Sequence, residues 1–311
     1  MELNTRIAGI DFKNPVWVAS GTFGNGWEFD DIIDLEKVGA IITKTVTLAG
    51  REGNPPPRIV ETASGLLNSI GLENKGVRAF VEDTLKKLIK LDTRVIVSIA
   101  GDANGIAECV AVLSGECSPD ALELNLSCPN VRHSGTSSRL VAQDAKATEE
   151  MVRIVKKKAG CPVFAKLTPN VTDISEIAMA AEQGGADGVV LVNTYLGMAV
   201  DAAKRKPVLG NVFGGLSGPA IKPLALKAVY DTHKRVKIPV IGIGGVMTGT
   251  DIAEFMLCGA AAVQTGTANL ADPVSYERIL AEFRHYLSEH HIKNASELTG
   301  ALEAGERTGE R

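Results

Sequence analysis

Residues 240–268 read VIGIGGVMTGTDIAEFMLCGAAAVQTGTA, and this stretch decides the class of fold. Two short apolar runs, 240–243 and 262–265, have the length and composition of buried strands, and segment 250–258 between them has the apolar spacing of a helix. Parallel strands need a crossover connection of this kind. The stretch therefore predicts one strand–helix–strand unit of a parallel sheet.

The same alternation runs through the rest of the chain. Helices are predicted at 77–90, 144–158, 174–183, 221–235 and 250–258. The apolar runs that predict strands are 16–19, 40–44, 95–99, 121–125, 163–167, 188–192, 240–243 and 262–265. Eight such units close into a ring, so the sequence predicts an α/β protein with a (β/α)8 TIM barrel.

Two connections are longer than ordinary strand-to-helix turns, namely 45–76 and 194–219. Long loops of this kind commonly form lids or substrate walls, so we expect them at the C-terminal mouth of the barrel. Neither a Ser/Gly linker nor a low-complexity segment divides the sequence. It predicts a single domain over 1–311, in which the polar residues 301–311 are a candidate disordered tail.

Composition favours small-molecule chemistry. The chain has 33 Lys and Arg against 37 Asp and Glu, a net charge of -4, which argues against nucleic acid or anionic lipid as a partner. No secretory leader pattern and no apolar run of about 18 residues is present, so a cytoplasmic protein without a membrane span is expected. The five cysteines show no CxxC spacing, which predicts free thiols and no metal site.

Glycines follow the last two predicted strands, at Gly244, Gly245 and Gly266, the last with Thr267 after it. Glycine lets the backbone approach a ligand closely, and the helix that follows each strand would present unpaired amides to an anion. Phosphate sites of many barrels lie after these two strands. The alternative is that the glycines only make tight turns, but their occurrence after both strands favours a phosphate site.

Two lysines end predicted strands, Lys44 at the second and Lys166 at the fifth. A buried ammonium needs an anionic partner, which is either a ligand or a carboxylate on a neighbouring strand. The ends of these two strands carry no obvious acid. We therefore expect both lysines to face a bound ligand.

Four asparagines lie in or after the predicted strands and in the first long loop. Each offers a paired donor and acceptor, which suits an imide-like or ureide-like ring edge, although any one alone is more simply a turn or capping residue. Together they predict a pocket that reads such a ring. They are Asn68, Asn125, Asn130 and Asn193.

Cys128 stands in a polar loop, between Ser127 and Pro129, just after the fourth strand. Structural cysteines are normally embedded in apolar patterns, as at Cys109 and Cys258. A thiol with an ordinary pKa of about 8.5 can accept a proton near neutral pH if its site lowers that pKa modestly. Cys128 is therefore a candidate acid-base residue, with an incidental loop thiol as the alternative.

These residues lie in stretches that resemble the dihydroorotate dehydrogenases, flavin enzymes of pyrimidine synthesis. The resemblance covers nearly the whole chain and implies the same barrel, binding one FMN at its C-terminal mouth. The stretches are NPVWVASGTFG, TKTVTLAGREGNPPPR, GLLNSIGLEN, LELNLSCPN, KLTPN, VNTYLGM, GGLSGPAIKP, IGIGGV and TGTANL.

The resemblance also implies a residue set for each ligand. The FMN contacts would be Ala19, Ser20, Gly21, Lys44, Asn125, Lys166, Val192, Gly218, Gly244, Gly245, Gly266 and Thr267. The dihydroorotate contacts would be Lys44, Asn68, Gly71, Leu72, Asn125, Asn130, Asn193 and Thr194. Cys128 would be the catalytic base that takes a proton from carbon 5 of the substrate, and Lys166 would offset negative charge on the reduced flavin.

Within the family, a cysteine base and the lack of an N-terminal extension are similar to the cytosolic class 1 enzymes rather than the membrane-bound class, which uses serine. LAGREGNPPPR and VNTYLGM resemble class 1B most. That resemblance implies a homodimer core within a heterotetramer, whose second subunit carries FAD and a 2Fe-2S cluster and reduces NAD+. This chain has no clustered cysteines for the cluster and no GxGxxG for a second flavin.

Three alternatives stay open at the level of sequence. A class 1A enzyme would use fumarate directly, a related reductase of pyrimidine bases would reject dihydroorotate, and an FMN-binding scaffold would turn nothing over. The loop 131–138, VRHSGTSS, departs from the family in having His133 and Ser134 where glycine is more common. That departure bears on how the catalytic loop moves.

Overall fold

The computed structural model describes residues 1–115, 117–126 and 141–303. The strands, in chain order, are β1 (Thr5–Ile7), β2 (Ile10–Phe12), β3 (Val16–Val18), β4 (Ala40–Ile42), β5 (Ile59–Thr62), β6 (Gly65–Asn68), β7 (Arg94–Ile99), β8 (Ala121–Asn125), β9 (Val163–Lys166), β10 (Gly188–Leu191), β11 (Tyr195–Met198), β12 (Val200–Asp201), β13 (Lys206–Pro207), β14 (Phe213–Ser217), β15 (Val240–Ile243) and β16 (Ala260–Thr265).

The helices lie mainly between the barrel strands. The α-helices are α1 (Val77–Phe80), α2 (Lys86–Leu88), α3 (Ala103–Leu113), α4 (Ala145–Lys156), α5 (Ile174–Gln183), α6 (Lys222–His233), α7 (Gly249–Leu257), α8 (Thr267–Ala271) and α9 (Ser275–Glu289). A single π-helical turn, Val81–Leu85, joins α1 to α2, so the two run as one helix. Short 3-10 turns lie at Trp27–Phe29, Leu35–Lys37, Val141–Gln143, Pro219–Ile221 and Ala295–Leu298.

Eight strands close into a parallel barrel, in the order β3, β4, β7, β8, β9, β10, β15, β16. This confirms the predicted (β/α)8 fold. Each barrel strand lies within or overlaps one of the eight predicted apolar runs, and the predicted helix boundaries agree to within two residues at each end. The agreement follows from the near-continuous apolar character that strands buried on both faces require.

Side-chain alternation along each barrel strand separates two apolar regions. Leu122 and Leu124 of β8 pack outward against the surrounding helices, in the larger core. Ala121 of β8 belongs instead to the core inside the barrel, which contains Trp17 and Phe164. The two rings lie 6.1 Å apart between centroids. The β1–β2 hairpin adds Ile7 and Phe12 to this inner core and packs against the N-terminal end of the barrel.

The sequence reading missed a second sheet. The two long connections, expected to be loops, contain a four-stranded antiparallel sheet in the order β11, β14, β6, β5. Strand β14 of one connection pairs with β6 of the other, through Gly215 opposite Asn68. These strands are only four or five residues long, and all except β5 contain glycine, which weakens the pattern that would predict a strand. The pairing fixes both connections against each other at the barrel mouth.

Within the described residues, no helix combines the length and the apolar character needed to cross a membrane.

Candidate active site

A cavity of about 1330 Å³, counting its open entrance, lies at the carboxyl ends of the barrel strands. One wall comes from the four-stranded sheet, which supplies residues from β5, β6 and β14. We call it the mouth cavity. Its lining residues are Ala19, Ser20, Gly21, Thr22, Lys44, Thr45, Ile59, Asn68, Ser69, Ile70, Gly71, Leu72, Asn125, Lys166, Val192, Asn193, Thr194, Gly215, Ser217, Ile221, Ile243, Gly244, Gly245, Gly266, Thr267 and Leu270.

The structure brings nearly all the residues singled out in the sequence around this one cavity. Cys128 and Asn130 lie outside the described residues, as does the loop 131–138. Gly218 does not line the mouth cavity but sits behind it, with its carbonyl oxygen 2.7 Å from where a Cβ on Gly245 would lie. All other predicted contacts lie on the lining.

One end of the mouth cavity is bare backbone, formed by Gly244, Gly245 and Gly266. Gly245 has φ +76°, and a Cβ there would also lie 2.9 Å from the backbone nitrogen of Lys222. Any side chain would therefore strain the turn or displace its neighbours. Beside it, Gly266 precedes α8 without a side-chain cap, so the first amides of that helix have no capping side chain. This end suits an anion.

One part of the phosphate prediction is wrong, because the amides of Thr248, Gly249 and Asp251 at the N-terminus of α7 already donate to side chains of the protein. Asp251 accepts from the amides of Met247 and Thr248, both at 2.8 Å. Thr248 in turn accepts from the amide of Asp251 at 3.2 Å. The amide of Gly249 donates to Glu282 at 2.8 Å. An anion at this end would therefore meet the Gly244–Gly245 turn and α8, not α7.

Asp251 links the glycine turn to the helix behind it. Its carboxylate accepts from Lys222 Nζ at 2.5 Å, and Lys222 also pairs with Glu254 at 2.8 Å. Burial alone would raise the pKa of Asp251, but the bonds from Lys222, Met247 and Thr248 outweigh it and hold the pKa below the ordinary 3.8. The carboxylate form thus stabilises the fold.

Asp251→Asn should lower the free energy of unfolding by about 2 kcal/mol at neutral pH, because two partly buried amides and an ammonium lose a charged acceptor. Since the folded pKa is depressed, this contribution is complete above pH 3.8 and is lost as the pH falls through the folded pKa. Urea unfolding of wild type and variant across that range measures it. Asp231→Asn, which breaks an exposed pair with Lys227, is the control. A difference that persists undiminished in acid would contradict this role.

The expectation that no carboxylate lies near Lys166, at the end of the fifth barrel strand, is wrong. Its Nζ lies 3.4 Å from Oε1 of Glu123, and the two side chains are only 5% and 1% exposed. Glu123 lies inside an apolar strand, where the sequence did not mark it as a site residue. It is two residues before Asn125 and therefore lies on the same face of β8. In the β8–β9 register Asn125 is opposite Lys166, which brings the carboxylate within reach. Lys166 therefore has both a carboxylate partner and a position on the lining.

Lys44 is less tightly held. Its Nζ lies 4.0 Å from Oε2 of Glu73, an oxygen that Arg58 engages at 2.6 Å. About a third of the Lys44 side chain is exposed. Its ammonium can therefore turn towards an anion in the mouth cavity.

Thr45, which the sequence reading did not select, organises the floor of the mouth cavity. Its hydroxyl accepts from Asn125 Nδ2 at 3.2 Å and lies 3.1 Å from Ser20 Oγ and 2.9 Å from Ser98 Oγ. It thus links polar side chains of four different strand ends. A threonine in a TKTVT stretch reads as an ordinary strand residue, so only the fold shows this function.

The asparagines are anchored in different ways. Asn68 Nδ2 lies at the limit of hydrogen bonding, 3.5 Å from the carbonyl oxygen of Gly215, while Asn193 Oδ1 accepts from the amide of Thr194 at 2.9 Å.

A Cβ on Gly215 would lie 1.9 Å from Thr194 Oγ1, so only glycine lets β14 approach that threonine. Outside the cavity, Asn170 donates to the carbonyl of Thr194 at 3.1 Å. The sequence analysis did not single out Gly215 or Asn170.

Four thiols fall within the described part of the chain, and none of them lines the mouth cavity. Burial raises the pKa of Cys109 and of Cys161 to about 11, and it also raises that of Cys258. Thiols of this kind stay protonated near neutral pH. Cys117, the fourth, is partly buried. These four are therefore poor candidates for an acid-base role.

Comparison with known proteins identifies the barrel. A sequence model of the dihydroorotate dehydrogenase family matches residues 2–287. The chain belongs to the dihydroorotate dehydrogenase family. This confirms the resemblance carried by the strand-end motifs, and membership of the family implies a flavin cofactor.

Curated members of the dihydroorotate dehydrogenase family match over almost the whole chain. The proteins from Geobacter sp. strain M21 and Geobacter sulfurreducens are 49% and 50% identical to it over 303 residues, covering 97% of this chain and 98% of theirs. A protein from Desulforamulus reducens is 49% identical over 302 residues, with the same coverage. All three are named dihydroorotate dehydrogenase B (NAD(+)), catalytic subunit.

Proposed function

We propose that this protein is the catalytic subunit of an NAD+-linked dihydroorotate dehydrogenase, which oxidises dihydroorotate to orotate with FMN in pyrimidine biosynthesis. The observation that carries the proposal is the mouth cavity, whose lining brings together all the predicted ligand residues within the described part of the chain except Gly218. The names of the relatives, which match from end to end, support the same reaction.

The residues present fit FMN. Gly244, Gly245 and Gly266 leave one end of the mouth cavity as bare backbone, and a Cβ would clash with Ala225 at Gly244 and with Lys222 at Gly245. This bare backbone would accept the phosphate. Lys166 supplies a cation at the floor, suited to a ring system that gains negative charge. The proposed contacts are Ala19, Ser20, Gly21, Lys44, Asn125, Lys166, Val192, Gly218, Gly244, Gly245, Gly266 and Thr267. When bound, FMN supplies the acceptor for the hydride that leaves carbon 6 of dihydroorotate.

The substrate would lie between the strand ends and the four-stranded sheet. Lys44 is the less tightly paired of the two cations on the lining and would pair with the substrate carboxylate. Asn68 and Asn193 would bond the ring amides, and Thr194, held by Asn170, would bond beside them. The remaining proposed contacts are Gly71, Leu72, Asn125 and Asn130. Fixing the ring in this way aligns the carbon that loses hydride and excludes wrong orientations.

Cys128 is proposed as the base. Loss of hydride from carbon 6 leaves a proton to be removed from carbon 5, and the electrons of that C–H bond form the new double bond. The Cys128 thiolate takes this proton and becomes a thiol, so charge and atoms balance. Cys128 lies three residues after Asn125, which lines the mouth cavity. The thiols elsewhere are held protonated by burial or lie off the lining.

For the acceptor, we propose a partner subunit. The relatives are named as catalytic subunits of NAD(+) enzymes, which supports an assembly in which a second chain reduces NAD+. In that assembly a homodimer of this chain forms the core of a heterotetramer, and the partner carries FAD and a 2Fe-2S cluster. Copurification with a second chain and NAD+-dependent turnover of the complex would test this part.

Anaerobic addition of dihydroorotate to the purified FMN-bound protein tests the proposed reaction directly. We expect the absorbance of oxidised flavin to bleach and orotate to appear in equal amount. Addition of fumarate to the bleached protein is the control, and it should restore the absorbance far more slowly than NAD+ restores it in the two-subunit complex. A protein that binds FMN but does not bleach would contradict the substrate, and rapid reoxidation by fumarate would contradict the acceptor.

A further inference from the structure

A buried carboxylate lies immediately beneath the floor of the mouth cavity. Glu123 is 1% exposed and points into the barrel, with Lys166 Nζ 3.4 Å and Ser98 Oγ 3.2 Å from Oε1. Gln264 Nε2 donates to Oε2 at 3.2 Å. Three donors converge on one carboxyl group, an arrangement that suits an ionised carboxylate because it has only acceptors to offer.

The hydroxyl groups above Glu123 are ordered by its charge. Ser98 donates to Glu123, so its oxygen must accept from Thr45, since each hydroxyl has one hydrogen. Thr45 then accepts from Ser20 and from Asn125 Nδ2. Every hydrogen bond in this series of side chains is donated in the direction of the Glu123 carboxylate. The bonding pattern is thus consistent with a fixed negative charge at Glu123.

Lys166 is the cation that this charge offsets. The lining carries two ammonium groups, Lys44 and Lys166, within the described part of the chain. The carboxylate near Lys44 is Glu73, which is half exposed and shared with Arg58, so water screens it. Glu123 and Lys166 are both buried, where charges interact more strongly. Glu123 therefore controls how much positive potential Lys166 projects into the mouth cavity.

We propose that Glu123 is a positioning residue that sets the reduction potential of the bound flavin through Lys166. This inference rests on the proposed function. Reduced flavin carries more negative charge than oxidised flavin, so an uncompensated ammonium favours the reduced form. Glu123 holds the Lys166 ammonium at the cavity floor and cancels part of its field. The bound flavin is thereby kept easier to oxidise, which suits onward transfer of its electrons.

The test is the midpoint potential of FMN bound to Glu123→Gln, measured in the purified FMN-bound protein by spectroscopic titration against a reference dye. Glutamine keeps the shape of the side chain and removes its charge. We expect the equilibrium between oxidised and two-electron-reduced flavin to shift about tenfold towards the reduced form, about 30 mV. Ser98→Ala is the matched control, since it breaks the hydroxyl chain but keeps the ion pair, and its potential should stay at the wild-type value.

Glu123→Asp provides a second variant in case the glutamine variant does not fold. It keeps the charge but withdraws it by one methylene, so a smaller shift in the same direction is expected. Potentials at or below the wild-type value in the variants that fold would overturn the inference while leaving the proposed function intact. A wild-type protein that binds no FMN, or whose FMN is not reduced by dihydroorotate, would instead overturn the proposed function and this inference together.

Discussion

Replacing Cys128 by alanine is expected to slow the reduction of bound FMN by dihydroorotate about 10²- to 10⁴-fold, the usual contribution of a positioned base. The amount of FMN bound should change little, because the proposed flavin contacts lie on the barrel strand ends and on Gly218 behind them. Stopped-flow absorbance under anaerobic conditions measures the rate, and the flavin content of the purified variant measures binding.

The pH dependence of that rate separates a base from a structural thiol. In the wild type the rate should rise with pH and level off above the pKa of the thiol, ordinarily about 8.5, because only the thiolate accepts a proton. In Cys128→Ala this rise should disappear. Cys161→Ala is the control, since that thiol lies off the mouth cavity and burial raises its pKa to about 11. Loss of FMN from Cys128→Ala at an unchanged rate per bound flavin would contradict the assignment.

The barrel could be predicted from sequence because its strands are buried on both faces. Each reads as a short apolar run, and the helices between them show a clear period. Strand ends could be located for the same reason, and in a barrel they converge at one mouth. The positions of Lys44, Asn125 and Gly244 at strand ends therefore predict that they meet at one cavity, and all three lie on its lining.

The residues that escaped prediction are those defined by contacts across strands. Glu123 and Gln264 sit inside apolar runs, where a polar residue looks like an exception rather than a member of a network. Thr45 gains its position only when three other strand ends surround it. The sequence contains the Thr248-x-x-Asp251 pattern of a capping box at α7. The glycines before it instead favoured the prediction that α7 binds a phosphate.

Lys166→Met should lower the free energy of unfolding by about 3 kcal/mol, because it leaves a buried carboxylate without its cation. Glu123 is 1% exposed, so water cannot replace the lost partner. Ser98 and Gln264 would still donate to it, which limits the cost to the lower part of the range for broken buried pairs. Urea unfolding, with and without added FMN, measures the change and separates the ion pair from any effect of the ligand.

A double-mutant cycle with Glu123→Gln isolates the pair. If the ammonium and the carboxylate stabilise each other, the double variant should be less destabilised than the sum of the single variants, by about 1 to 3 kcal/mol. Lys227→Met is the control, because its pair with Asp231 is largely exposed and should contribute less than about 1 kcal/mol. Additive single effects would mean that Lys166 and Glu123 are neighbours without coupling. Lys166 would then act on the bound ligand as a cation that Glu123 does not neutralise, and Lys166 alone would set the charge at the floor of the mouth cavity.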